Sequence, residues 1–119
     1  MSQRLNAFRG TLAYTNTTAK VLGYLPPNAF VSSIKVFITT AFNDTGTDLI
    51  DIGISGTANY FANDVTASSE AQAAVTLTKG AVVQSTIKPT PIYATYIGQN
   101  SNASAGAATI VVEYMFDEG

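Results

Sequence analysis

The sequence predicts an all-β protein, a single-domain antiparallel sandwich of about eight strands with jelly-roll or Greek-key connections, extending over residues 1–119. Short stretches alternate apolar and polar residues, which is typical of strands with one buried face. Turn residues separate these stretches about every eight to twelve positions, the spacing of a two-sheet fold. Cysteine is absent, so the packed interior has to hold the fold without disulfides.

The strongest strand pattern covers residues 30–42, where β-branched residues occupy every second position from Ile34 to Ile38. A polar turn at residues 43–47 separates it from a second alternating stretch at residues 49–54. Because a short turn joins two strong strand patterns, we expect these strands to pair antiparallel as neighbours.

Other parts of the chain give shorter strand patterns. Residues 8–15 and 18–25 flank a two-residue turn and predict an opening hairpin. Residues 55–70 show no sustained period, so we expect a long connection there, with at most a helical turn at residues 59–65. Further strands are expected at residues 73–77, 82–87, 93–98 and 107–116.

The N-terminal residues 1–8 are polar, and we expect them to form an arm that is flexible or docks on a partner. Arg4 and Arg9 lie in or next to this arm. Two arginines are too few for a phosphate-binding tract, so they do not indicate nucleic-acid binding.

The charge composition points to protein partners. Charged residues make up only 12% of the chain, about half the usual share of roughly 25%. The net charge is -2, which argues against nucleic acid as a partner, and no apolar stretch is long enough to suggest a membrane. Because surfaces with little charge tend to associate, we expect the chain to contact other proteins.

The residue types predict a protein that is not an enzyme and carries no cofactor. Histidine and cysteine are absent, which removes the commonest general base and the usual zinc ligands. The carboxylates lie in turns and on polar strand faces, so no two of them suggest a glycosidase pair. Asp44 and Asp48 are weak candidates for a calcium site, although Asn, Asp and Gly are also the usual residues of an ordinary turn.

Aromatic and arginine side chains are the best candidates for contacts with partners, because these residues are enriched in protein interfaces. The candidates are Arg4, Phe8, Arg9, Phe37, Tyr60, Phe61, Tyr93 and Tyr96.

Most of the chain outside the arm and the middle resembles small β-sandwich structural proteins of tailed bacteriophages, of the head decoration or capsid cement type. The likeness lies in the turn Leu25-Pro26-Pro27-Asn28-Ala29, the strand at residues 34–43 that ends in Thr-Ala-Phe-Asn, and the Ile-Asp-Ile-Gly strand at residues 50–53. Residues 105–114, Ala-Gly-Ala-Ala-Thr-Ile-Val-Val-Glu-Tyr, are similar too. These motifs carry no catalytic residue.

The resemblance implies a non-enzymatic virion protein that decorates and stabilises the capsid as an oligomer. Its implied partners are the major capsid protein and further copies of itself, as a homotrimer in preference to a homodimer. Its implied location is the capsid surface, after assembly in the host cytoplasm.

Two alternatives remain open at this point. One is a carbohydrate- or receptor-binding module of a phage tail or fibre, in which Tyr60, Tyr93, Tyr96 and the loop at residues 99–105 face the ligand. A weaker alternative is a calcium-dependent or hydrolytic domain that uses the aspartates near Asp44.

Overall fold

The computed structural model describes residues 5–75 and 88–116. In this part of the chain there are eight β-strands and no helix. Accordingly, no described helix is long and apolar enough to cross a membrane. The strands are β1 (Leu5–Ala13), β2 (Lys20–Leu25), β3 (Ala29–Thr40), β4 (Asp48–Ile54), β5 (Thr57–Thr66), β6 (Ala71–Ala74), β7 (Thr90–Gly98) and β8 (Ala107–Phe116).

The strands form two four-stranded antiparallel sheets. The first sheet has the order β1-β8-β3-β6 and the second has the order β2-β7-β4-β5. Consecutive strands pass from one sheet to the other at every step except between β4 and β5. The chain is thus wound around the interior, and strands from its two ends pair with each other, as β1 does with β8 and β2 with β7. The predicted all-β antiparallel sandwich is confirmed.

The core lies between the inner faces of the two sheets. In β3 and β8 the alternate positions are buried, so each strand contributes one row of aliphatic side chains to the interior. Phe42 and Phe61 are the largest side chains buried almost completely. The other large ones are Leu12, Leu25, Val31, Ile34, Val36, Ile50, Ile52, Ile92, Ile110 and Val112.

Two predicted strand pairings are wrong. β1 and β2 do not form a hairpin, because β1 lies in the first sheet and β2 in the second. For the same reason β3 and β4 are not neighbours. In both cases a short connection turns the corner between the sheets, which buries the apolar face of each strand against the opposite sheet. The predicted strand at residues 82–87 lies outside the described residues.

The long connection expected at residues 55–70 is wrong as well, because most of it is β5. This strand pairs with β4 through a register that shifts twice, between Ile50 and Ile52 and between Ile52 and Ile54. Asp64 has a φ of 60°, a left-handed conformation that is uncommon outside glycine. Bulges of this kind interrupt the two-residue alternation, so the sequence shows no strand period there.

The predicted arm at residues 1–8 has to be corrected at its C-terminal half. Residues 5–8 belong to β1 and pair in register with β8, from Leu5 opposite Met115 to Phe8 opposite Val112. Residues 1–4 lie outside the described residues.

A bulge in β2 decides which of its side chains face outward. The register with β7 shifts between Val21 and Gly23, so Val21 and Tyr24 lie on the same side of the strand although they are three residues apart. Leu22 is buried, and a side chain at Gly23 would overlap the ring of Phe8. The bulge therefore brings β1 and β2 close together where the two sheets meet.

Gly53 provides a test of the β4–β5 hairpin. A Cβ at this position would overlap the backbone of Thr57 and Ala58, because β5 crosses close over β4. We expect Gly53→Ala to destabilise the protein by about 3 kcal/mol, the upper end of the usual range for overpacking. Gly56, with a φ of 82° and open space around it, is the matched control. Gly56→Ala should cost only about 1 kcal/mol of left-handed strain. Chemical denaturation measures both, and equal losses would contradict this explanation of the hairpin.

Candidate interaction surfaces

The loops at residues 41–47 and 99–106 meet at one end of the sandwich and are joined by the carboxylate of Asp44. Its Oδ1 accepts hydrogen bonds from the backbone N–H of Gly46 at 2.6 Å and of Asn100 at 3.0 Å. Its Oδ2 accepts one from the backbone N–H of Asn102 at 3.1 Å. One side chain thus fixes the turn that precedes β4 and the loop that precedes β8.

A second carboxylate, that of Asp48, continues this network into the core. Its Oδ1 accepts a hydrogen bond from the hydroxyl of Tyr96 at 2.5 Å and another from the backbone N–H of Asp44 at 3.0 Å. The ring of Tyr96 packs on Phe42, with 4.6 Å between the ring centroids. Burial raises the pKa of Tyr96, and the hydrogen bond to Asp48 raises it further, so the hydroxyl remains a donor.

Amide side chains complete the contact between the two loops. Asn43 Oδ1 accepts from the backbone N–H groups of Ser104 and Ala105 at 2.7 and 3.0 Å. Gln99 Oε1 accepts from the backbone N–H of Thr47 at 3.1 Å. We call this cluster, residues 43–48 with residues 99–105, the polar loop end.

The geometry of the polar loop end favours the turn interpretation of Asp44 and Asp48 over the calcium interpretation. The Asp44 oxygens face backbone N–H groups, and the Asp48 Oδ1 faces a hydroxyl and an N–H, so these atoms already accept hydrogen bonds. A hard cation requires oxygen ligands on its other sides as well. No group of three or more His, Cys, Asp or Glu residues suited to a metal occurs in the described ranges.

Removal of the Asp44 carboxylate should loosen both loops. Burial tends to raise the pKa of this carboxyl, but hydrogen bonds from the N–H groups of four residues hold it below the ordinary value of 3.8. A lowered pKa contributes stability that is complete above the ordinary pKa and disappears as the pH falls through the folded-state pKa. We therefore expect Asp44→Ala to lower the melting temperature by several degrees at neutral pH and by less in acid.

Thermal melting between about pH 3 and pH 7 measures this loss. Glu70→Ala, which removes an exposed carboxylate, is the matched control and should leave the melting temperature almost unchanged. A loss for Asp44→Ala that stayed constant over the whole pH range would mean that the charge of Asp44 is not what joins the loops.

Asp51 on β4 has a raised pKa, in contrast to the lowered pKa of Asp44. Its Oδ1 accepts a hydrogen bond from the backbone N–H of Asp64 at 2.8 Å, which supports the left-handed residue of the β5 bulge. Burial raises the pKa of Asp51 above 3.8, the hydrogen bond opposes that rise, and the negative charge of Asp64 adds to it. The ionised form of Asp51 is therefore less stable in the fold than in the unfolded chain.

Asp51→Asn should stabilise the protein at neutral pH, because Asn keeps an oxygen that can accept from Asp64 and removes the charge. A raised pKa contributes stability that is present below the ordinary pKa and disappears as the pH rises through the folded-state pKa. The gain over wild type should therefore vanish in acid and grow toward neutral pH, to a few degrees of melting temperature. Asp51→Ala, which also removes the acceptor, is the comparison and should destabilise. A lower melting temperature for Asp51→Asn at neutral pH would contradict the argument.

Two predicted interface residues are wrong, because they lie inside the sandwich. Phe61 is 0% exposed and Tyr96 is 2% exposed. Both sit on strands at positions that face the opposite sheet, so neither can contact a partner. Tyr96 lies beneath the polar loop end instead and donates a hydrogen bond to Asp48.

The remaining aromatic candidates are half-buried. Phe8 packs on Tyr114 with 5.9 Å between the ring centroids, and Tyr60 packs edge-on against Phe61 at 5.0 Å. These contacts make Phe8 and Tyr60 part of the margin of the core. Phe37 and Tyr93 lie on the outer faces of the first and second sheets. Arg4 lies outside the described residues.

The outer face of the first sheet carries charge of both signs, because the carboxylate of Glu113 on β8 lies one row away from two cationic side chains. Arg9 on β1, Val111 on β8 and Lys35 on β3 lie side by side in register, so two cationic side chains flank one aliphatic side chain. The next row holds Phe37 beside Thr109. Arg9 is exposed, and Lys35 and Phe37 are half-buried.

The outer face of the second sheet is apolar along β2 and β7, and sequence reasoning did not find it. Val21 pairs with Tyr93, Tyr24 pairs with Pro91, and Leu49 on β4 pairs with Ile97. Val21, Tyr24 and Ile97 are the large apolar residues in the described part of the chain that remain exposed. The signal was hidden because the bulge in β2 moves Val21 and Tyr24 to one face at a spacing of three.

A cleft of 410 Å³ lies next to the polar loop end. Tyr14 and Ile97 contribute apolar surface to it, and Thr17 and Ser101 contribute hydroxyl groups. Ser101 has a φ of 56°, a strained conformation for serine. This cleft is one of the places where the described structure offers room for a small ligand.

Comparison with known proteins gives a fold match. No protein-family model and no curated protein matches the sequence. A chain of the capsid asymmetric unit of cyanophage Pam1 is similar in structure, with a TM-score of 0.75 and 18% identity over 97% of this chain and 86% of that chain. A chain of the acid-stable capsid structure of Helicobacter pylori bacteriophage KHP30 has a TM-score of 0.70 and 17% identity over 97% and 94%. This chain therefore shares its fold with chains of two bacteriophage capsid structures, in agreement with the resemblance found in the sequence.

Proposed function

We propose that this chain is a non-enzymatic structural protein of a bacteriophage virion, which decorates the capsid and stabilises it as an oligomer. The observation that supports this most strongly is the fold, which covers 97% of the chain in matches to chains of two phage capsid structures. The strand order β1-β8-β3-β6 and β2-β7-β4-β5 supports the jelly-roll form of the sandwich, a fold common in viral capsids. The proposed partners are the major capsid protein and other copies of the chain, as a homotrimer in preference to a homodimer.

The outer face of the first sheet is the surface that we assign to the capsid. Arg9 and Lys35 flank Val111 there, with Phe37 in the row on one side and Glu113 in the row on the other. The row of Arg9, Val111 and Lys35 fits a protein surface that presents carboxylates around an apolar spot. Exposed pairs of opposite charge contribute little one by one, so binding at a single site is expected to be weak and sensitive to salt.

Weak binding at one site is compatible with stable decoration. A trimer that engages three equivalent sites converts the second and third contacts into intramolecular steps. The overall affinity then exceeds that of one contact by orders of magnitude without a new kind of contact. Clamping neighbouring capsid subunits in this way would oppose their separation.

The alternative, a carbohydrate- or receptor-binding module on a tail or fibre, has one observation in its favour. This is the cleft beside Tyr14 and Ile97, which combines apolar surface with hydroxyl groups. Tyr96 is buried and donates to Asp48, so it is not free to stack on a sugar as that hypothesis requires.

Cosedimentation with capsids that lack this protein tests the proposal. Wild-type protein should pellet with the particles at low salt and less at high salt. Arg9→Gln combined with Lys35→Gln should reduce the bound fraction at least tenfold. Ser68→Glu combined with Ser69→Glu changes the net charge by the same amount at two exposed positions away from this face and should bind as wild type does.

Absence of wild-type protein from the pellet at any salt concentration would refute the capsid role. Equal losses in the two double variants would mean that the net charge, and not the outer face of the first sheet, governs binding. Binding to a glycan array by protein that does not pellet would support the alternative instead.

A further inference from the structure

One exposed aromatic side chain stands out on the outer face of the second sheet. Tyr24 is 60% exposed, although it lies within β2 and not in a loop. It pairs with Pro91, and Val21 pairs with Tyr93 two positions further along β7. Directly paired residues of antiparallel strands point to the same face, so these side chains form one apolar surface. Tyr24 projects from it as a knob.

A groove with a volume of 410 Å³ lies on the same face. Tyr93 lines it together with residues 54–58, the turn between β4 and β5, and with Ala19. The groove forms because β5 begins by crossing over Gly53, which is paired with Tyr93. Its volume lies within the range of pockets that enclose small molecules, roughly 300–1,000 Å³, so it has room for an aromatic ring. No charged residue lines it.

We infer that copies of this chain meet through this face, with Tyr24 of one copy inserted in the groove beside Tyr93 of the next. This inference rests on the self-association included in the proposed function and names the residues that make the contact. A single aromatic side chain in a fitted pocket is the usual form of an energetic hot spot between proteins.

The occupant is a second copy because the knob and the groove are on the same face of the same chain. Each copy thus brings both halves of the contact, which is what a closed dimer or trimer needs. The face is also electrically compatible with itself. Val21, Tyr24, Pro91 and Tyr93 are uncharged, and Asp51, which pairs with Thr95 on the same face, is only 8% exposed, so contact through the Tyr24 region places no exposed like charges together.

The outer face of the first sheet lacks this property. Arg9 and Lys35 lie in one row there and Glu113 lies in the next, so a partner of this face has to match charges of both signs. The two outer faces therefore differ in the partners they suit: the apolar face around Tyr24 suits another copy and the charged face suits a partner with complementary charges.

Analytical ultracentrifugation of the purified protein tests the inference with two complementary variants. Tyr24→Ser removes the knob and leaves the groove, while Ala58→Arg fills the groove and leaves the knob. We expect wild type to sediment as an oligomer and each variant alone to have a dissociation constant at least tenfold higher. Phe37→Ser, a similar loss of a ring on the other outer face, is the control and should sediment as wild type does.

Mixing the two variants gives the decisive result. The intact knob of the Ala58→Arg protein can enter the intact groove of the Tyr24→Ser protein, so the mixture should form heteromers that neither variant forms alone. Circular dichroism and thermal melting check that each variant is folded, and Ser55→Arg replaces Ala58→Arg if the latter does not fold. Recovery on mixing would not occur if either substitution acted only by disturbing the fold.

Three results would overturn the inference: a wild type that is monomeric at all concentrations, variants that keep the wild-type mass, or a mixture that recovers nothing. Capsid cosedimentation distinguishes a failure of this inference from a failure of the proposed capsid function. A monomeric wild type that still pellets with capsids, and loses this in Ala58→Arg, would show that the capsid occupies the groove. Variants that no longer form oligomers and that bind capsids more weakly than wild type would support both proposals.

Discussion

Burial of one side of every strand is the constraint on which this structure depends. The chain has no cysteine, so its stability comes from the apolar surface between two sheets and the hydrogen bonds that satisfy the polar groups. β3 and β8 meet this constraint in the simplest way, because alternate residues are buried from Ile34 to Ile38 in β3 and from Ala108 to Val112 in β8. The strands at the two ends of the sequence also meet, because β1 pairs with β8 at the edge of the first sheet and so places its Leu12 in the core.

The ends of a sandwich pose a different problem, because loops bring unpaired backbone N–H groups to the edge of the core. At the polar loop end two carboxylates accept hydrogen bonds from these N–H groups. Asp44 satisfies N–H groups from both loops, and Asp48 supports Asp44 while holding the hydroxyl of Tyr96 inside the core. Asp44 and Asp48 most resembled a functional site in the sequence, and their role in the structure is to hold the loops at this end of the sandwich together.

The sequence allowed the fold class and most strands to be predicted, because alternation is a local property. β3, β4 and β8 were found near their observed bounds for this reason. Strand partners were not predicted, since β1 and β8 are about one hundred positions apart and nothing local connects them. β5 was missed because its bulges interrupt the alternation. Tyr96 was assigned to the surface because its partner, Asp48, is 48 positions away in sequence.

Irregularities in β2 and in the β4–β5 hairpin, which made strand patterns hard to recognise in the sequence, also shape the outer face of the second sheet. The shift between Val21 and Gly23 turns Tyr24 outward, and the tight β4–β5 hairpin over Gly53 opens the groove beside Tyr93. A regular strand in either place would have given a flat and featureless face. Irregularities in a ladder weaken pairing locally, so they persist where they serve the core or a partner. In β2 the bulge keeps Leu22 in the core and at the same time leaves Tyr24 60% exposed on the outer face.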